Sequence, residues 1–403
     1  MIIDSPQQKS TGMSISAIGI TPESWRAYFD SIGEPKYRAK QAFAAVHAEK
    51  IDSWSGASTL PKPLRNRLEF EAPIVHLKLL REAKSADNTV KLLFEPEPGS
   101  LIETVLIPTR YGPALCMSSQ IGCPVGCLFC QTGQMGLGRN LATEEIVSQF
   151  MQAEKYAGGE LHSVIMMGMG EPMLNVEAVS NALAILTHPK GRHFSARRIT
   201  VSTVGYPARI REMAERGWKY NLALSLHATN EATRNRLIPV SSKQPMSEIF
   251  EALESYQMAS KSEITLEYIL LDGINTSPHD ARALAHLSRW GWRAEIEDEK
   301  WLKGFFARGA RGAPFTRDSW KVNLIPYNPT SPNAKTLKRL AGSPASQSPA
   351  AGPWTLRCPS DADMEAFAAL VDRLGARVTL RKPRGRDIGA ACGQLGKVGT
   401  NQS

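Results

Sequence analysis

Residues 116–130 read CMSSQIGCPVGCLFC, and Cys123, Cys127 and Cys130 within them are separated by three and then two residues. A loop of this length can place three thiolates around a [4Fe–4S] cluster, which in proteins normally binds four cysteines. Three ligands leave one iron without a protein ligand. The amino and carboxylate groups of S-adenosylmethionine suit such an open iron, so the spacing predicts a cluster that binds a small molecule.

A structural zinc site is the alternative interpretation of these cysteines. Such sites usually take four Cys or His ligands arranged in two pairs. The remaining cysteines are Cys116, Cys358 and Cys392, and none of them stands in the spacing of a second pair. Spacing alone leaves both interpretations open.

The composition is that of an ordinary globular protein. The 403 residues suffice for one large domain and a small accessory one. Hydrophobic residues make up 42% and charged residues 22% of the chain. The 48 Lys and Arg against 39 Asp and Glu give a net charge of +9. This excess favours a polyanionic partner such as nucleic acid without establishing one.

Several features indicate where the protein works. No apolar run reaches the length of a membrane span. The first residues lack the basic start and apolar block of a signal peptide, and the cysteines do not form a secreted disulfide framework. We therefore expect a cytoplasmic protein that makes no contact with a membrane.

The N-terminal quarter reads as a tail followed by helices. Residues 1–18 are polar and aperiodic, which indicates a disordered tail. At Thr21 a capping hydroxyl precedes a proline and a glutamate, which is a helix start. Trp25 and Phe29 follow at helical spacing and are predicted to be core residues. We expect a small helical accessory domain over residues 19–75.

Strand patterns dominate the next part of the chain. VKLLF and IETVLI, separated by a Pro/Gly turn, predict a β-hairpin connection over residues 76–112. Six buried-looking runs follow between residues 113 and 330: ALCMS, HSVIMMG, RITVSTVG, NLALSLH, ITLEYILLDG and KVNLIPYNP. Helix-sized segments separate most of them, which is typical of parallel strands joined by crossover helices. We predict an α/β fold with an open, partial (βα)6 barrel.

Small or polar residues stand at the ends of these strands. Active sites of parallel barrels form at the carboxyl ends of the strands. The strand-end segments are the cysteine loop, Gly170-Glu171-Pro172, Ser202-Thr203, Ser225-Leu226-His227 and Asn328-Pro329. Their coincidence predicts one site at this edge of the sheet.

Three further segments complete the predicted domain organisation. Residues 290–320 are charged and aromatic, and we expect an inserted helical element. Residues 331–358 are rich in Pro and Ser and predict a surface loop. Residues 359–403 form a C-terminal segment with a predicted helix, a strand over 377–381 and basic residues before Cys392.

The string CMSSQIGCPVGCLFCQTGQMGLGRNL resembles the RlmN/Cfr-type radical-SAM enzymes that methylate adenine in 23S ribosomal RNA. MMGMGEPMLN, ITVSTVG, LALSLHA, VNLIPYNP and DIGAACGQL resemble the same family and occur in its order. The resemblance covers about residues 20–290, 320–330 and 360–396. It implies a radical-SAM partial barrel with a helical N-terminal domain and a C-terminal extension.

The resemblance also assigns roles to individual residues. It implies that Cys123, Cys127 and Cys130 bind the cluster. The residues matched to S-adenosylmethionine contacts are Gly170, Glu171, Ser202, Ser225, Leu226, His227 and Asn328. The residues matched to catalytic roles are the methyl-carrying Cys392, its partner Cys116 and the proton acceptor Glu103. Taken singly, each has an ordinary structural alternative, such as a turn glycine or a small buried cysteine.

The implied reaction uses two molecules of S-adenosylmethionine, because the target carbon of adenine is too electron-poor for direct methyl transfer. Cys392 takes a methyl group from the first. A radical from the second removes hydrogen from that methyl group, and the carbon radical adds to the adenine. Proton loss to Glu103 and attack by Cys116 then release the RNA and leave a Cys116–Cys392 disulfide.

The resemblance implies several partners. They are 23S rRNA, tRNA in some members, an electron donor for the cluster and a thiol reductant for the disulfide, and we expect a monomer. A base that undergoes chemistry must be unstacked. The helical domain at 19–75 and the basic residues of 359–403 are candidates for holding the RNA backbone.

The position of methylation separates two branches of the family. Gln134, Pro172 and Pro326 resemble the carbon-2 branch, whereas Gly136-Leu137 and residues 327–330 are closer to the carbon-8 branch. We favour carbon 2, with carbon 8 as the alternative. A zinc-knuckle RNA-binding protein is a remote alternative that requires no enzyme activity.

Overall fold

The computed structural model describes residues 16–307, 320–341 and 353–396. Parts of four predicted segments lie outside these residues. They are 1–15 of the tail, 308–319 of the insertion, 342–352 of the Pro/Ser-rich loop and 397–403 of the C-terminal segment. The predicted domain boundaries as a whole stay a prediction.

Helices and strands alternate along most of the described chain. The α-helices are α1 (Pro22–Ser31), α2 (Tyr37–His47), α3 (Lys62–Glu71), α4 (Gln131–Met135), α5 (Thr143–Ala157), α6 (Val176–Thr187), α7 (Pro207–Glu215), α8 (Glu231–Leu237), α9 (Met246–Ser260), α10 (Pro278–Trp290), α11 (Glu299–Ala307), α12 (Ala334–Ala341) and α13 (Asp361–Arg373). The strands are β1 (Lys78–Lys84), β2 (Val90–Glu97), β3 (Ser100–Ile107), β4 (Ala114–Cys116), β5 (Gln120–Cys123), β6 (Gly136–Asn140), β7 (Ser163–Met166), β8 (Ile199–Thr203), β9 (Asn221–Ser225), β10 (Ile264–Leu270), β11 (Lys321–Pro326) and β12 (Arg377–Leu380).

Ten of these strands form the main sheet in the order β1-β2-β3-β4-β7-β8-β9-β10-β11-β12. Strands β1 to β4 pair antiparallel, and every pair from β4 to β12 is parallel. The order ends at β1 and β12, so within the described residues the sheet is open. The predicted α/β partial barrel is therefore confirmed, and β12 adds a seventh parallel strand to the six expected.

Strand β10 lies inside the parallel part of the sheet, between β9 and β11. All seven of its residues are buried, as its apolar and β-branched sequence ITLEYIL predicts for a strand covered on both faces. Glu267 is paired with Ser225 of β9 on one side and with Asn323 of β11 on the other. The ring of Tyr268 stacks on Phe367 of α13, with 6.1 Å between centroids. A single acidic residue thus lies in the middle of the most buried strand.

The predicted hairpin is present, and an additional strand precedes it. Strands β2 and β3 pair with Val90 opposite Leu106. Strand β1 pairs with β2, but its sequence KLLREAK carries no alternation and its residues are largely exposed. Periodicity therefore gave no signal for β1.

One compact unit of the chain contains residues 1–77, 142–148 and 177–194. In its described part, Thr21 caps α1 by accepting a hydrogen bond from the Ser24 N–H (3.2 Å). Trp25 and Phe29 are fully buried, as predicted. The Trp25 ring packs edge-on against Trp54 with 5.7 Å between centroids.

The second unit contains the sheet and two elements in the predicted insertion and loop. Helix α11 lies within the described part of 290–320, as expected. Helix α12 lies where the sequence predicted a loop, because AKTLKRLA between the prolines is rich in helix-forming residues. Among the described residues, no helix is both long and apolar enough to cross a membrane.

A two-stranded sheet encloses the cysteine loop. Strands β5 and β6 pair antiparallel, so the chain between Cys123 and Gly136 forms a closed loop. Gly122 has φ +72°, and a Cβ at this position would lie 2.0 Å from the Gly136 carbonyl oxygen. Only glycine allows the two strands to approach this closely.

We expect Gly122→Ala to destabilise the protein more than Gly99→Ala. Gly99 also has a positive φ (+82°), but a Cβ there would meet no atom within 4 Å. Gly99→Ala should cost about 1–2 kcal/mol for the left-handed backbone alone, and Gly122→Ala should cost at least twice as much. Urea unfolding of both variants measures the difference, and equal losses would contradict a steric role for Gly122.

Candidate active site

The three cysteines predicted to bind a cluster lie in the loop between β5 and β6. Cys123 is the last residue of β5 and pairs with Gly136, the first residue of β6. Cys127 and Cys130 follow within the loop. All three line one open cavity of about 150 Å³. The loop therefore brings the three thiols to a common space.

Two backbone hydrogen bonds hold this loop from opposite sides. The Leu128 N–H donates to the carbonyl of Leu237 (3.0 Å), at the end of α8. The Gln131 N–H donates to the carbonyl of Gly393 (2.7 Å), in the C-terminal segment. The conformation of the loop thus depends on two segments that are distant in sequence.

The protonation of the thiols indicates what they can bind. Burial raises the pKa of Cys123, Cys127 and Cys130. For Cys127, negative charge on Cys130 and Cys123 raises the pKa further, while the Arg234 guanidinium opposes the increase. A metal centre stabilises its ligands as thiolates. Without a metal, the burial of these three thiols disfavours their ionisation. A positively charged cluster would stabilise them as thiolates, so the three cysteines fit such a ligand.

The arrangement of the donors suits a cluster of several atoms. In the stretches that the structure describes, no group of three or more His, Cys, Asp or Glu is arranged around a single metal ion. The three thiols are distributed over the wall of a cavity of about 150 Å³ instead. A [4Fe–4S] cluster places its cysteine ligands around such a volume.

Gly170 and Glu171 follow β7 and line the same cavity. Gly170 has φ +102°, and a Cβ there would lie 2.6 Å from the Cβ of Gln120. The Gln120 side chain accepts a hydrogen bond from the Glu171 N–H (2.8 Å) and donates to Asn140 of β6 (2.8 Å). Gln120 thereby fixes the turn after β7 to the hairpin that encloses the cysteines.

The Glu171 carboxylate is buried and already hydrogen-bonded. Oε2 accepts from the Val204 N–H (2.9 Å), and Oε1 accepts from the Met173 N–H (3.1 Å). Burial raises the pKa of Glu171 to about 7, although these hydrogen bonds lower it. The side chain therefore joins the ends of β7 and β8 and also faces the cavity.

Ser202, Ser225 and His227 bring the ends of β8 and β9 to the cavity. The hydroxyls of Ser202 and Ser225 are 3.4 Å apart. His227 has φ +59°, an uncommon conformation for a non-glycine residue, and its Nδ1 accepts from the Ile269 N–H (3.1 Å). Burial and the charge of Arg234 lower the pKa of His227 to about 3. The imidazole is therefore neutral.

Two residues matched to cofactor contacts do not line the cavity. Leu226 is fully buried, and its N–H donates to the carbonyl of Glu267 (3.0 Å). The Asn328 side chain donates to the Cys392 carbonyl (3.1 Å) and accepts from Arg386 Nε (2.9 Å). Asn328 thus positions the backbone of the C-terminal cysteine.

Cys392 lies on the cavity wall together with the three loop cysteines. It is accessible through the open cavity, yet it is surrounded by protein atoms, and burial raises the pKa of its thiol while Arg381 opposes this. Burial and negative charge on Cys392 raise the pKa of Cys116 to about 12. The two residues are therefore electrostatic neighbours.

The expected disulfide between Cys116 and Cys392 is absent from the described residues, and both are free thiols. Burial keeps the Cys116 thiol protonated, and the thiolate is the form that attacks sulfur. A standing disulfide bond between Cys116 and Cys392 is therefore not supported by this structure.

Glu103 is buried in β3 but does not line the cavity. Oε1 forms an ion pair with Lys91 Nζ (2.8 Å), and Oε2 accepts from the Gly396 N–H (2.6 Å). Lys91 Nζ also donates to the carbonyl of Gly389 (3.3 Å). Glu103 and Lys91 together hold the segment that carries Cys392.

Sequence analysis missed two charged residues of the site. Glu267 lines the cavity, and its Oε1 accepts from Asn323 Nδ2 (2.9 Å) and Arg381 Nη2 (3.4 Å). Glu267 is the one acidic residue in the apolar run ITLEYIL, and this unusual position could have indicated a role in the site. Arg234 of α8 is 1% exposed and contacts the ends of β8 and β9, but its polar surroundings in the sequence indicate nothing unusual.

Comparisons with known proteins agree with this site. Residues 117–285 match the Radical SAM superfamily, and residues 16–74 match the Ribosomal RNA large subunit methyltransferase N-terminal domain. A probable dual-specificity RNA methyltransferase RlmN of Thermotoga neapolitana is 38% identical over 366 residues, covering 91% of this chain and 92% of that protein. The dual-specificity RNA methyltransferase RlmN of Syntrophobacter fumaroxidans is 36% identical, covering 93% and 94%.

A solved structure gives the same result for the fold. The crystal structure of a radical SAM methyltransferase from Sphaerobacter thermophilus has a TM-score of 0.76 and 34% identity, and the match covers 95% of this chain and 99% of that one. Radical SAM proteins use a [4Fe–4S] cluster and S-adenosylmethionine, the groups that the cavity fits. The resemblance predicted from the motifs is confirmed: this chain belongs to the RlmN family of the radical SAM superfamily.

Proposed function

We propose that the protein is a radical-SAM RNA methyltransferase that methylates carbon 2 of an adenosine in 23S rRNA. The methyl group passes through Cys392, and Cys116 resolves the intermediate. The observation that carries the proposal is the position of Cys392, which shares one cavity wall with Cys123, Cys127 and Cys130. The loop cysteines follow β4 and Cys392 follows β12, which are the first and last strands of the parallel part of the sheet. A purely structural role for Cys392 would not require its thiol to lie beside the loop cysteines.

The cavity residues have distinct roles in holding the cofactors. Cys123, Cys127 and Cys130 are the cluster ligands. Glu171 and the strand-end serines and histidine contact S-adenosylmethionine, with Glu171 presenting negative charge where a cationic ligand is expected. When bound, these cofactors supply a radical that can remove hydrogen from an S-methyl group.

Cys392 accepts the methyl group as a thiolate. Its sulfur forms a bond to the methyl carbon of S-adenosylmethionine, and the bond between that carbon and the sulfonium breaks, releasing S-adenosylhomocysteine. Arg381 favours the thiolate, because its positive charge lowers the pKa of Cys392. Asn328 fixes the residue through its carbonyl oxygen (3.1 Å).

Glu103 and Cys116 complete the reaction on the linked adenine. The linked adenine would return one electron to the cluster, and Glu103 accepts the ring proton. Cys116 gives up its proton and its sulfur attacks the sulfur of Cys392, so that an S–S bond forms. The electron pair of the broken S–CH₂ bond passes to the carbon, which takes up a proton and becomes the methyl group. In this structure Oε2 of Glu103 accepts the Gly396 N–H (2.6 Å) and Oε1 pairs with Lys91, and each oxygen keeps a further lone pair that can take a proton.

The choice of carbon 2 rests on the family branch. The relatives named above are described as RNA methyltransferases with dual specificity, and the match of residues 16–74 to a large-subunit ribosomal RNA methyltransferase domain supports 23S rRNA as the substrate. We propose tRNA as a second substrate. Gln134, taken as a carbon-2 signal, donates to Thr330 (3.4 Å), which belongs to the stretch closer to the carbon-8 branch. The reaction further needs an electron donor and a thiol reductant, and we propose that a monomer performs it.

We expect that changing Cys123, Cys127 or Cys130 to Ser removes the cluster, because each loses a thiolate ligand. Anaerobic reconstitution followed by iron and sulfide analysis measures the loss. Cys358→Ser is the matched control, since its thiol contacts the Met364 sulfur (3.8 Å) and does not line the cavity. A colourless native protein with one bound zinc would contradict the cluster and support a zinc-knuckle protein.

The two distant cysteines should fail in different ways. Cys392→Ala cannot accept a methyl group, so we expect neither product nor a covalent complex. Cys116→Ala should still attack the adenine but be unable to break the bond that results. It should accumulate as protein linked to RNA, seen as a slowly migrating band that ribonuclease collapses. If both variants lose activity alike and no adduct forms, Cys116 has no resolving role.

Mass spectrometry of RNA nucleosides tests the product directly. We expect 2-methyladenosine in 23S rRNA treated with the reconstituted enzyme, and none with Cys392→Ala. Transfer RNA assayed in parallel tests the second substrate. If 8-methyladenosine is the only product, the carbon-8 alternative replaces our proposal.

A further inference from the structure

Arg234 is a buried charge without a carboxylate partner. It is 1% exposed, and among the described residues it forms no ion pair within 4.0 Å. Taking an isolated charged group out of water costs several kcal/mol unless hydrogen bonds or a counter-charge offset the loss. Such a side chain, bonded to residues that line the active-site cavity, calls for a physical explanation.

Three hydrogen bonds account for part of the guanidinium. Nε donates to the carbonyl of Leu226 (3.1 Å), and Nη2 donates to the carbonyls of Ser225 (3.2 Å) and Val204. Val204 and Ser225 both line the cavity. Arg234 therefore ties together the carboxyl ends of β8 and β9, where several cofactor contacts are expected.

The remaining donor group of the side chain is unused. Nη1 is buried and has no hydrogen-bond partner in the described part of the chain. Buried N–H groups are nearly always paired, so an orphaned one calls for a further partner, which can be water or a bound group. The guanidinium carries five N–H donors in a fixed fork, and three carbonyls do not satisfy them.

The surroundings of Arg234 show which partner fits. Val204, whose carbonyl accepts from Nη2, packs in one buried cluster with Cys123 and Cys127, and the Leu128 N–H is bonded to Leu237 at the end of the helix that carries Arg234 (3.0 Å). Arg234 thus lies directly behind the cysteine loop. A sulfur that carries negative charge is the acceptor that a cationic N–H donor favours.

We propose that Arg234 is a positioning residue for the cluster, whose Nη1 donates a hydrogen bond to a cluster-bound sulfur while Nε and Nη2 fix the ends of β8 and β9. Hydrogen bonds and positive charge near the sulfurs stabilise the reduced, more negative cluster and raise its reduction potential. Arg234 therefore makes the cluster easier to reduce. This inference rests on the cluster site of the proposed function.

The test is a redox titration of the reconstituted protein, followed by electron paramagnetic resonance. In Arg234→Met we expect the ratio of reduced to oxidised cluster at a fixed potential to fall at least tenfold, a downward shift of about 59 mV for one electron. Arg234→Lys keeps the charge and should shift the potential less. A structural role alone would lower stability and leave the potential of the remaining clusters unchanged.

Arg236→Met is the matched control on the same helix. Its guanidinium lies over the Trp354 ring (3.9 Å to the centroid) and donates to the Leu340 carbonyl (2.8 Å). We expect the native potential in this variant. An unchanged potential in Arg234→Met would overturn the inference, whereas a native protein that assembles no cluster would overturn the proposed function itself.

The native protein provides a second measurement if neither Arg234 variant assembles a cluster. With ¹⁵N in the arginine guanidinium groups, pulsed electron paramagnetic resonance of the reduced cluster should show a ¹⁵N hyperfine coupling. The same coupling should persist in Arg236→Met. If no arginine nitrogen couples to the cluster, the hydrogen bond from Nη1 does not exist.

Discussion

The hydrogen bond from the Gln131 N–H to the Gly393 carbonyl (2.7 Å) joins the cysteine loop to the C-terminal segment. One residue after Gln131 and two residues after Gly393, the Thr132 hydroxyl donates to the Leu395 carbonyl (2.7 Å). Because Cys392 precedes Gly393, these two bonds place its thiol on the wall of the cavity formed by the loop cysteines. The meeting of the two cysteine groups thus depends on backbone carbonyls, which side-chain substitutions in the segment leave in place.

Much of the fold could be predicted from local sequence patterns. A strand that is buried on both faces, or a helix with a capping residue, can be recognised from a few consecutive residues. Strand β10 is continuous in apolar residues, and the start of α1 carries Thr21 followed by proline. Elements whose existence depends on distant partners gave no such signal. Strand β1 forms only by pairing with β2, and α12 was hidden by the prolines around it.

The residues of the site differ in the same way: some could be predicted from local sequence, and others depend on distant contacts. Cys123, Cys127 and Cys130 were predictable because one loop contains all three. Their close spacing in the sequence indicates that they bind the same ligand. Arg234 and Glu267 were missed because each acts through contacts with residues far away in the sequence. The resemblance matched Asn328 to a cofactor contact, but only the structure shows that it holds Cys392 in place (3.1 Å). Sequence patterns therefore identify the donors better than they identify the residues that position them.

Two buried charged side chains near the cavity are only partly hydrogen-bonded. Glu267 is 3% exposed, and Oε2 has no hydrogen-bond partner among the described residues, as is true of Nη1 of Arg234. Each unsatisfied group costs free energy. Glu267 lines the cavity, whereas Arg234 is bonded to the carbonyls of two lining residues, Val204 and Ser225. A bound group that satisfies either side chain binds the folded chain alone, so its binding energy adds to the free energy of unfolding.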